Sequence, residues 1–377
     1  MADGPLRIGV VCYPTFGGSG VVATELCKGM AERGHEIHLL SYAPPARLDM
    51  YDERIHLHEV AVSSYPLFKY PPYDLALASR LAEIAEDASL DLVHVHYAIP
   101  HTVAALLVKE ILGRDLPVVT TLHGTDITVV GQDPSYKRVM RWALRNSDAV
   151  TSVSEYLRQQ TEEVFGLERD MEVIPNFVDT DRFRPGGDRG IRRCFSKKEE
   201  RVVMHVSNFR PVKRAVLAVE AFADIAKAVP STLVMVGDGP DRGACERRAQ
   251  QLGLKGQVRF LGAQADVQHL LPAADLFLLP SEYESFGLAA LEAMACGVVP
   301  VATRAGGLPE VIRDGEDGVL VADSSMEEMG PLAASLLADE SRRAQMSAAA
   351  REAAVGRFGR EGIVTQYEAV YRGVLTP

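Results

Sequence analysis

Short, almost continuously apolar runs alternate with amphipathic stretches along most of this chain. Runs of this kind, rich in β-branched residues, are typical of strands covered on both faces, as in a parallel sheet with helices above and below. After the first run, Val22, Leu26 and Met30 recur at helical spacing, and Gly34 follows as a stop signal. The alternation predicts an α/β, doubly wound fold. In the first half of the chain the predicted strands are residues 6–12, 37–41, 92–96, 118–123 and 149–154.

A second series of strand-like runs begins after a break in this pattern. Residues 176–189 are dense in Asp, Pro and Gly and lack periodicity, which is typical of a linker. A chain of 377 residues is also long for one core, since single cores stop growing near ~250–300 residues. We therefore expect two Rossmann-like domains, residues 1–178 and 179–358, with a last helix, about 359–377, able to pack back onto the first. The predicted strands of the second domain are residues 201–206, 233–236, 258–261, 276–279 and 299–302.

In such domains, ligands bind beyond the carboxyl ends of the strands. With two domains facing each other, this rule places the expected site in the cleft between them.

The charge balance and the cysteines restrict the class of protein. The formal net charge is −11, with 51 acidic and 40 basic residues, so the overall field repels nucleic acid and anionic lipid. The five cysteines form no ligand cluster, and their odd number suits buried thiols in a reducing compartment. No apolar run approaches the ~18 residues that span a bilayer, and no basic region precedes an apolar one at the start. We expect a cytoplasmic protein with no membrane span and no nucleic-acid partner.

Two sequences in the first half follow predicted strands and carry candidate functional residues. The run from Gly17 to Gly20 lies between a strand and a helix, where backbone amides can meet an anion, although glycine pairs also occur there for turn geometry alone. It does not match GxGxxG, which argues against a dinucleotide-dependent dehydrogenase. His123 ends another strand and precedes Gly124, so we favour a functional histidine over a structural one.

The segment around Glu284 contains the strongest chemical signal. It follows an apolar strand, so Glu284 falls in a loop, and Phe286, Gly287 and Leu288 should begin a helix. Exposed amides at a helix start suit a diphosphate. Glu292 lies inside that helix among apolar residues, where a carboxylate is costly unless specific donors such as vicinal hydroxyls bind it. The alternative is one capping glutamate and one solvent-facing glutamate.

Cations follow the first strand of the second domain. Arg210, Lys213 and Arg214 stand at the predicted carboxyl end of that strand in an otherwise anionic chain. Such runs usually form a solvated surface, but at this position they are candidates to neutralise phosphate oxygens.

Taken together, these residues resemble a known family. Glu284 and Glu292, with seven residues between them, look like the signature of retaining glycosyltransferases of family 4, which have the GT-B fold of two Rossmann-like domains. Residues 236–240, 260–262 and 306–310 match the same family. Residues 12–26, 94–101, 120–136 and 174–179 resemble the branch that transfers N-acetylglucosamine from UDP-GlcNAc to L-malate, the first step of bacillithiol biosynthesis.

The resemblance implies a role for each matching position. Glu284 would bind the transferred sugar, Glu292 the ribose hydroxyls, and His123 would stand at the reacting centre. Asn208 occupies the place where the family commonly has arginine, so the diphosphate falls to Arg210 and Lys213, or to Lys213 alone if Arg210 points elsewhere. The remaining donor contacts would be Gly18, Asn208, Gly237, Asp238, Leu261, Phe286, Gly287 and Leu288. The acceptor contacts would be Ser19, Tyr97, Thr121, Arg141 and Asn176. A homodimer is expected.

We expect catalysis without a metal ion or another cofactor. The Asp-x-Asp sequence at residues 179–181 lies in the linker and not where it would hold a metal for the nucleotide. The leaving-group charge would fall on helix amides, Arg210 and Lys213. Competing interpretations are a related transferase acting on inositol phosphate or a lipid headgroup, a non-hydrolysing UDP-sugar epimerase, and a non-catalytic nucleotide-sugar sensor.

Overall fold

The computed structural model describes residues 4–376 apart from residues 16, 49–50, 64–65, 132, 168–169, 187–188 and 198; at 129, 130 and 189 only the backbone is described. The chain divides into two compact units. Unit 1 comprises Met1–Asn176 and Arg360–Pro377, and unit 2 comprises Phe177–Gly359. The boundary between residues 176 and 177 falls two residues before the predicted one. The boundary between residues 359 and 360 falls one residue after its predicted position.

Unit 1 contains a seven-stranded sheet. Every pairing in it is parallel, and the strand order is β3-β2-β1-β4-β5-β6-β7. The strands are β1 Arg7–Val11, β2 Glu36–Ser41, β3 Ile55–Glu59, β4 Leu92–His96, β5 Val118–Leu122, β6 Ala149–Ser152 and β7 Glu172–Val173. The helices between them are α1 Ser19–Glu32, α2 Tyr73–Asp87, α3 Val103–Leu112, α4 Pro134–Asn146 and α5 Glu155–Phe165, with π-helical turns at Ala98–Thr102 and Asp126–Val130.

Unit 2 repeats the design with six parallel strands in the order β10-β9-β8-β11-β12-β13. The strands are β8 Arg201–Val206, β9 Ser231–Val236, β10 Val258–Gly262, β11 Leu276–Leu279, β12 Val299–Thr303 and β13 Val319–Val321. The helices are α6 Arg189–Phe195, α7 Ala215–Ala228, α8 Arg242–Gln251, α9 Val267–Leu270, α10 Leu288–Ala295, α11 Leu308–Val311, α12 Met329–Ala338 and α13 Glu340–Phe358. Single 3₁₀ turns lie at Pro211–Lys213 and Leu271–Ala273, and two short turns joined by a kink at Ser325 form Asp323–Glu328.

Local sequence explains several element boundaries. Asp133 caps α4 by accepting a hydrogen bond from the Ser135 amide, and Pro134 follows at the first helical position. Ser154 caps α5 in the same way through the Leu157 amide. Gly166 ends α5 in the left-handed region at φ 58°, where glycine has no steric penalty.

The last helix, α14 (Arg360–Leu375), belongs to unit 1. Its buried face carries Val364, Tyr367 and Tyr371, and a Cβ on Gly29 of α1 would lie 2.6 Å from Val364. Arg33 bonds Glu368 of α14 at 2.9 Å. The helix thus closes the sheet of unit 1.

The segment at 176–189 is not a free linker. Phe177, Val178 and Phe183 are buried, and Arg351 of α13 donates to the carbonyl of Phe183 at 2.8 Å. Residues 187–188 lie outside the described part of the chain. The composition was that of a linker, but its apolar residues anchor it in unit 2.

Candidate active site

The two sheets each contain one point where the strand order reverses. In unit 1 it lies between β1 and β4, and in unit 2 between β8 and β11. In doubly wound folds the loops that leave the sheet on either side of such a point form the ligand site.

A lysine and a glutamate connect the two loops at the reversal point of unit 2. Lys213, after β8, places its Nζ 2.7 Å from Oε1 of Glu284, after β11. Ser281 donates to the same oxygen at 2.8 Å, and the Glu284 side chain is 10% exposed. The backbone joins the loops as well, since the Glu282 amide donates to the Val212 carbonyl at 2.8 Å. The carboxylate is therefore held in one orientation by two donors.

Helix α10 begins beside this pair. Its N-cap is Gly287, with φ 101°, and a Cβ there would lie 2.4 Å from Leu308, so the position accepts only glycine. No side chain of the described residues caps the helix, and the first amides of a helix have no partner within it. Phe286 is buried and packs edge-on against Phe358. The preceding loop is thus fixed while the helix start presents donor groups.

Glu292 lies inside α10, as predicted. It is 6% exposed and is flanked along the helix by the buried Leu291 and Ala293. The glutamate is therefore buried, and the solvent-facing alternative for it does not fit.

The loop after β9 approaches the loop after β8 at backbone distance. A Cβ on Gly237, at φ 120°, would lie 1.7 Å from the carbonyl oxygen of Ser207. The Asp238 carboxylate accepts from the Gly239 amide at 2.8 Å and pairs with Arg242 at 3.3 Å. Leu261 lies at the end of the neighbouring β10. The predicted glycine loop, after β9, and Leu261, near the end of β10, thus lie on adjacent strands.

Asn208 and Arg210 are exposed at the same edge of the sheet. Among the residues that the structure describes, Arg210 forms no ion pair, whereas Lys213 does. Phe209, between Asn208 and Arg210, has φ 42° and is fully buried. An apolar anchor in a strained conformation therefore sets the direction of this loop.

In unit 1, His123 follows β5 and is 8% exposed. Its Nε2 lies 2.8 Å from Nδ1 of His96, and the two rings stack with centroids 5.1 Å apart. Burial lowers the pKa of His123 to about 3 and the pKa of His96 well below its ordinary value. Both imidazoles are neutral at pH 7, so the pair shares one hydrogen bond and no charge.

Asp126 fixes the turn that carries His123. Its carboxylate accepts from the amides of Gly124 at 2.8 Å and His123 at 3.3 Å, and from that of Ala98 at 3.4 Å. Burial raises the pKa of Asp126 to about 6, while the backbone amides act in the opposite direction. Asp126 was not among the predicted site residues; its position two residues after Gly124 is the sequence signal for a carboxylate that binds turn amides.

Tyr97 lies beside His123 at the end of β4. It has φ 95°, which is unusual for a residue with a large side chain, and its amide donates to the Thr121 carbonyl at 3.0 Å. Its ring stacks on His123 with centroids 5.8 Å apart and meets Tyr13 edge-on at 5.3 Å. Tyr13, which follows β1, was not among the predicted site residues.

The other predicted acceptor contacts occupy different environments. Ser19 is the buried first residue of α1, after Gly18 at φ 58°. Asn176 is 6% exposed, and its Oδ1 has no hydrogen-bond partner within the described residues. Arg141 is exposed on α4. The structure therefore brings Tyr97 and His123 into contact.

Thr121 does not fit its predicted role. Its side chain is fully buried, and its hydroxyl lies 2.7 Å from both Nε2 of His94 and Oγ1 of Thr151. These bonds use the hydroxyl inside the unit, on the side that α14 covers through the His94–Tyr371 hydrogen bond at 2.7 Å. Thr121 is a structural residue of the sheet.

The Asp-x-Asp sequence at residues 179–181 forms hydrogen bonds that hold the local backbone. Asp179 accepts from the amides of Asp181 at 3.0 Å and Arg182 at 3.1 Å, and the Thr180 carbonyl accepts from Arg351. This motif therefore stabilises the start of unit 2.

Comparison with known proteins identifies the family. The family model described as Glycosyltransferase Family 4 matches residues 16–182, and the model described as Glycosyl transferases group 1 matches residues 191–353. The N-acetyl-alpha-D-glucosaminyl L-malate synthase of Bacillus anthracis is 46% identical over 371 residues, 98% of this chain and 97% of the relative. The chain belongs to glycosyltransferase family 4.

One further relative and one solved structure extend the comparison. A GDP-mannose-dependent alpha-(1-6)-phosphatidylinositol monomannoside mannosyltransferase of Mycolicibacterium smegmatis is 31% identical, with 88% of each chain covered. The crystal structure of Anabaena HepE with UDP and glucose superposes with a TM-score of 0.82 at 22% identity, covering 97% of this chain and 99% of that one. The expected GT-B fold is confirmed. Within the described residues, no helix combines the length and the apolar composition that a membrane span requires.

Proposed function

We propose that this glycosyltransferase moves N-acetylglucosamine from UDP-GlcNAc to the hydroxyl of L-malate, with retention at the anomeric carbon, as the first step of bacillithiol biosynthesis. The observation that carries the proposal is the 46% identity to the N-acetyl-alpha-D-glucosaminyl L-malate synthase, because it extends over 98% of this chain and so includes both units. The relatives that act on other acceptors are less similar.

The donor half of the reaction is assigned to unit 2. The amides at the start of α10 and the Lys213 ammonium are aimed at the diphosphate, where negative charge develops as the leaving group departs. Glu284 is oriented by Lys213 and Ser281, and accepts hydrogen bonds from the transferred sugar. When a diphosphate binds, it competes with Glu284 for the lysine, so the ion pair of the free protein becomes a three-part contact.

The nucleoside is assigned to the neighbouring loops. Glu292, 6% exposed on α10, is assigned to the ribose hydroxyls, whose O–H groups can donate to its carboxylate. The Gly237–Asp238 turn and Leu261 border the uracil, and Asn208 and Arg210 lie at the exposed rim next to them.

The acceptor half is assigned to unit 1. His123 is neutral because its pKa is about 3, so it contacts the sugar as a hydrogen-bonding imidazole and not as a cation. The buried Oδ1 of Asn176 lacks a partner among the described residues and suits the malate hydroxyl. Ser19, at the start of α1, and Arg141 supply positive potential for the two carboxylates. Tyr97 packs against His123 and limits its movement.

The reaction follows a front-face route in this proposal. The bond between the anomeric carbon and the diphosphate oxygen breaks, the malate oxygen attacks from the same face, and the malate proton passes to the departing diphosphate. No enzyme nucleophile is needed, and the charge of the leaving group is met by amides and cations instead of a metal ion. We therefore expect activity to persist in a chelator.

A UDP-release screen tests the proposal. UDP-GlcNAc is incubated with L-malate, with inositol phosphate and with water, each with and without EDTA, and the anomeric configuration of the product is read by NMR. We expect UDP release when L-malate is the acceptor, and not with inositol phosphate or water. EDTA should leave this release unchanged, and the product should be α-linked. Release only with inositol phosphate would identify a different acceptor, and binding without turnover would identify a sensor. Activity that disappears in EDTA and returns with magnesium would refute the metal-independent mechanism.

A further inference from the structure

A histidine-rich cluster lies on one face of the outer strands of unit 1, apart from the residues assigned to sugar transfer. Glu36 and His38 are on β2, and His56 and His58 are on β3, the edge strand of the sheet. His38 and His56 are directly opposite each other in the parallel register. Because side chains two residues apart share a face, all four project to the same side.

The two distances from Glu36 to the histidines match those of a tetrahedral metal site. Oε1 of Glu36 lies 3.3 Å from Nε2 of His38 and 3.2 Å from Nε2 of His56. The three ligand atoms all lie within 4.8 Å of one another. Ligands bound tetrahedrally at ~2.0–2.1 Å from zinc stand about 3.3–3.4 Å apart. An ion therefore fits with little movement of the side chains.

The hydrogen bonding of His38 provides an independent argument. Its Nδ1 lies 3.0 Å from Nε2 of His58, and the two rings stack. Its Nε2 is buried, points towards Glu36 and has no hydrogen bond with any residue in the described part of the chain. In a metal-bound state, His38 would carry its proton on Nδ1, donate it to His58 and present the Nε2 lone pair to an ion beside Glu36. Without an ion, the other tautomer lets Nε2–H donate to the Glu36 carboxylate.

We propose that Glu36, His38 and His56 bind a divalent late first-row transition metal ion, with zinc as the best match. Two imidazoles and a carboxylate are a usual zinc ligand set, and water would complete the tetrahedron. His58 is a positioning residue, since it fixes the tautomer of His38 through the other ring nitrogen. In the residues that the structure describes, this is the one group of histidines, cysteines and acids with such spacing.

The position of the site indicates its role. Glu36 is the first residue of β2, at the amino end of the sheet, whereas His123 follows the carboxyl end of β5. Three strand spacings separate β2 from β5, which is at least ~14 Å at about 4.8 Å per strand. An ion here would attach the edge strand β3 to β2 and stabilise unit 1. It would take no part in sugar transfer.

The test uses the untagged full-length chain after removal of metals with a chelator. Zinc is titrated against a chromogenic competing chelator, and cobalt(II) binding is followed through its visible absorption. The variants are Glu36→Gln and His56→Gln, since these side chains are 45% and 43% exposed and their loss is compatible with folding. His58→Gln tests the positioning role. His269→Gln is the matched control, an exposed histidine of unit 2. A Cys194→Ser background removes the one exposed thiol in the described residues.

We expect one equivalent of zinc in the parent and in His269→Gln, and its loss in Glu36→Gln and His56→Gln. His58→Gln should bind roughly 10- to 100-fold more weakly. Zinc should raise the unfolding temperature reported by Trp142, the single tryptophan, which lies in unit 1, and should do so only in the parent and the control. Far-UV circular dichroism verifies that each variant is folded. Equal zinc binding by the parent and His56→Gln would overturn the proposal. The outcome is independent of whether UDP is released with malate, because turnover in EDTA is measured separately.

Discussion

Replacing Lys213 by methionine tests the feature on which the donor site depends. The substitution keeps an unbranched side chain, one atom shorter, and removes the charge that lies 2.7 Å from Glu284. The Glu284 side chain, 10% exposed, would keep only Ser281 as a side-chain donor. Hydrogen bonds to charged groups contribute about 1.5–3 kcal/mol, so we expect the free energy of unfolding of unit 2 to fall by that amount.

The same substitution should reduce catalysis through a separate effect. If the ammonium binds the departing diphosphate, its loss removes one charge-assisted contact of about 1.5–3 kcal/mol from the transition state. At 1.36 kcal/mol for each factor of ten, kcat/KM should fall about 10- to 150-fold.

The double variant Lys213→Met with Glu284→Gln tests the stability effect by itself, since Glu284 is assigned to the transferred sugar and its loss also lowers kcat/KM. A neutral amide no longer needs the lysine, so stability should recover most of the loss while kcat/KM stays low. Hydrogen exchange over β8 and β11, read by mass spectrometry, measures stability in the correct unit, since the single tryptophan lies in unit 1. Activity is measured by UDP release.

Lys227→Met serves as the control, because Lys227 is 76% exposed and its pair with Asp224 lies at the surface. In this variant the free energy of unfolding should change by less than about 0.5 kcal/mol. The reasoning is refuted if Lys213→Met retains kcat/KM within a factor of two, or if the double variant is no more stable than the single one.

Three further substitutions test individual positions. His123→Ala should lower kcat about 100-fold while calorimetry shows UDP-GlcNAc affinity nearly unchanged; an unchanged kcat would remove this histidine from the mechanism. Glu292→Ala should mainly weaken UDP binding in the same titration, and full UDP affinity in that variant would contradict the ribose assignment. Gly237→Ala should prevent normal folding of unit 2, because its Cβ would lie 1.7 Å from the Ser207 carbonyl oxygen; hydrogen exchange reports the loss. Gly253→Ala is the comparison, since it has positive φ but no atom within 4 Å, and should cost only ~1–2 kcal/mol.

The strands that sequence predicted best are those buried on both faces. Residues 92–96, 201–206 and 276–279 were predicted with the bounds that β4, β8 and β11 have. Three strands were missed, namely β3 and the short strands β7 and β13. Strand β3 reads Ile-His-Leu-His-Glu, so it lacks the continuous apolar run. It lies at the sheet edge, where one side is open, and polar residues are tolerated there. The same polar residues form the proposed metal site.

The features of the candidate site also differ in whether the sequence alone could predict them. Positions at the carboxyl ends of strands, such as His123 and Glu284, could be predicted because the α/β topology alone places them there. The ion pair between Lys213 and Glu284 could not, since it joins residues 71 apart whose contact depends on the order of β8 and β11 in the sheet. Thr121 failed for a related reason. Strand residues alternate between faces, and only the position of α14 shows that its face is covered.

Each unit has a residue in a strained backbone conformation at the point where its strand order reverses. Tyr97 follows β4 and Phe209 follows β8, and both have positive φ despite large side chains. A residue in such a conformation costs of order 1–3 kcal/mol and persists only where the surroundings determine it. Those surroundings are present: the Tyr97 amide bonds the Thr121 carbonyl, and Phe209 is fully buried while its carbonyl accepts from the Asp241 amide. Each strained residue precedes or contacts groups assigned to substrate, namely Arg210 in unit 2 and His123 in unit 1. The packing energy of each sheet thus holds its loop in a conformation that serves ligand binding, which explains why strain occurs at these two strand ends.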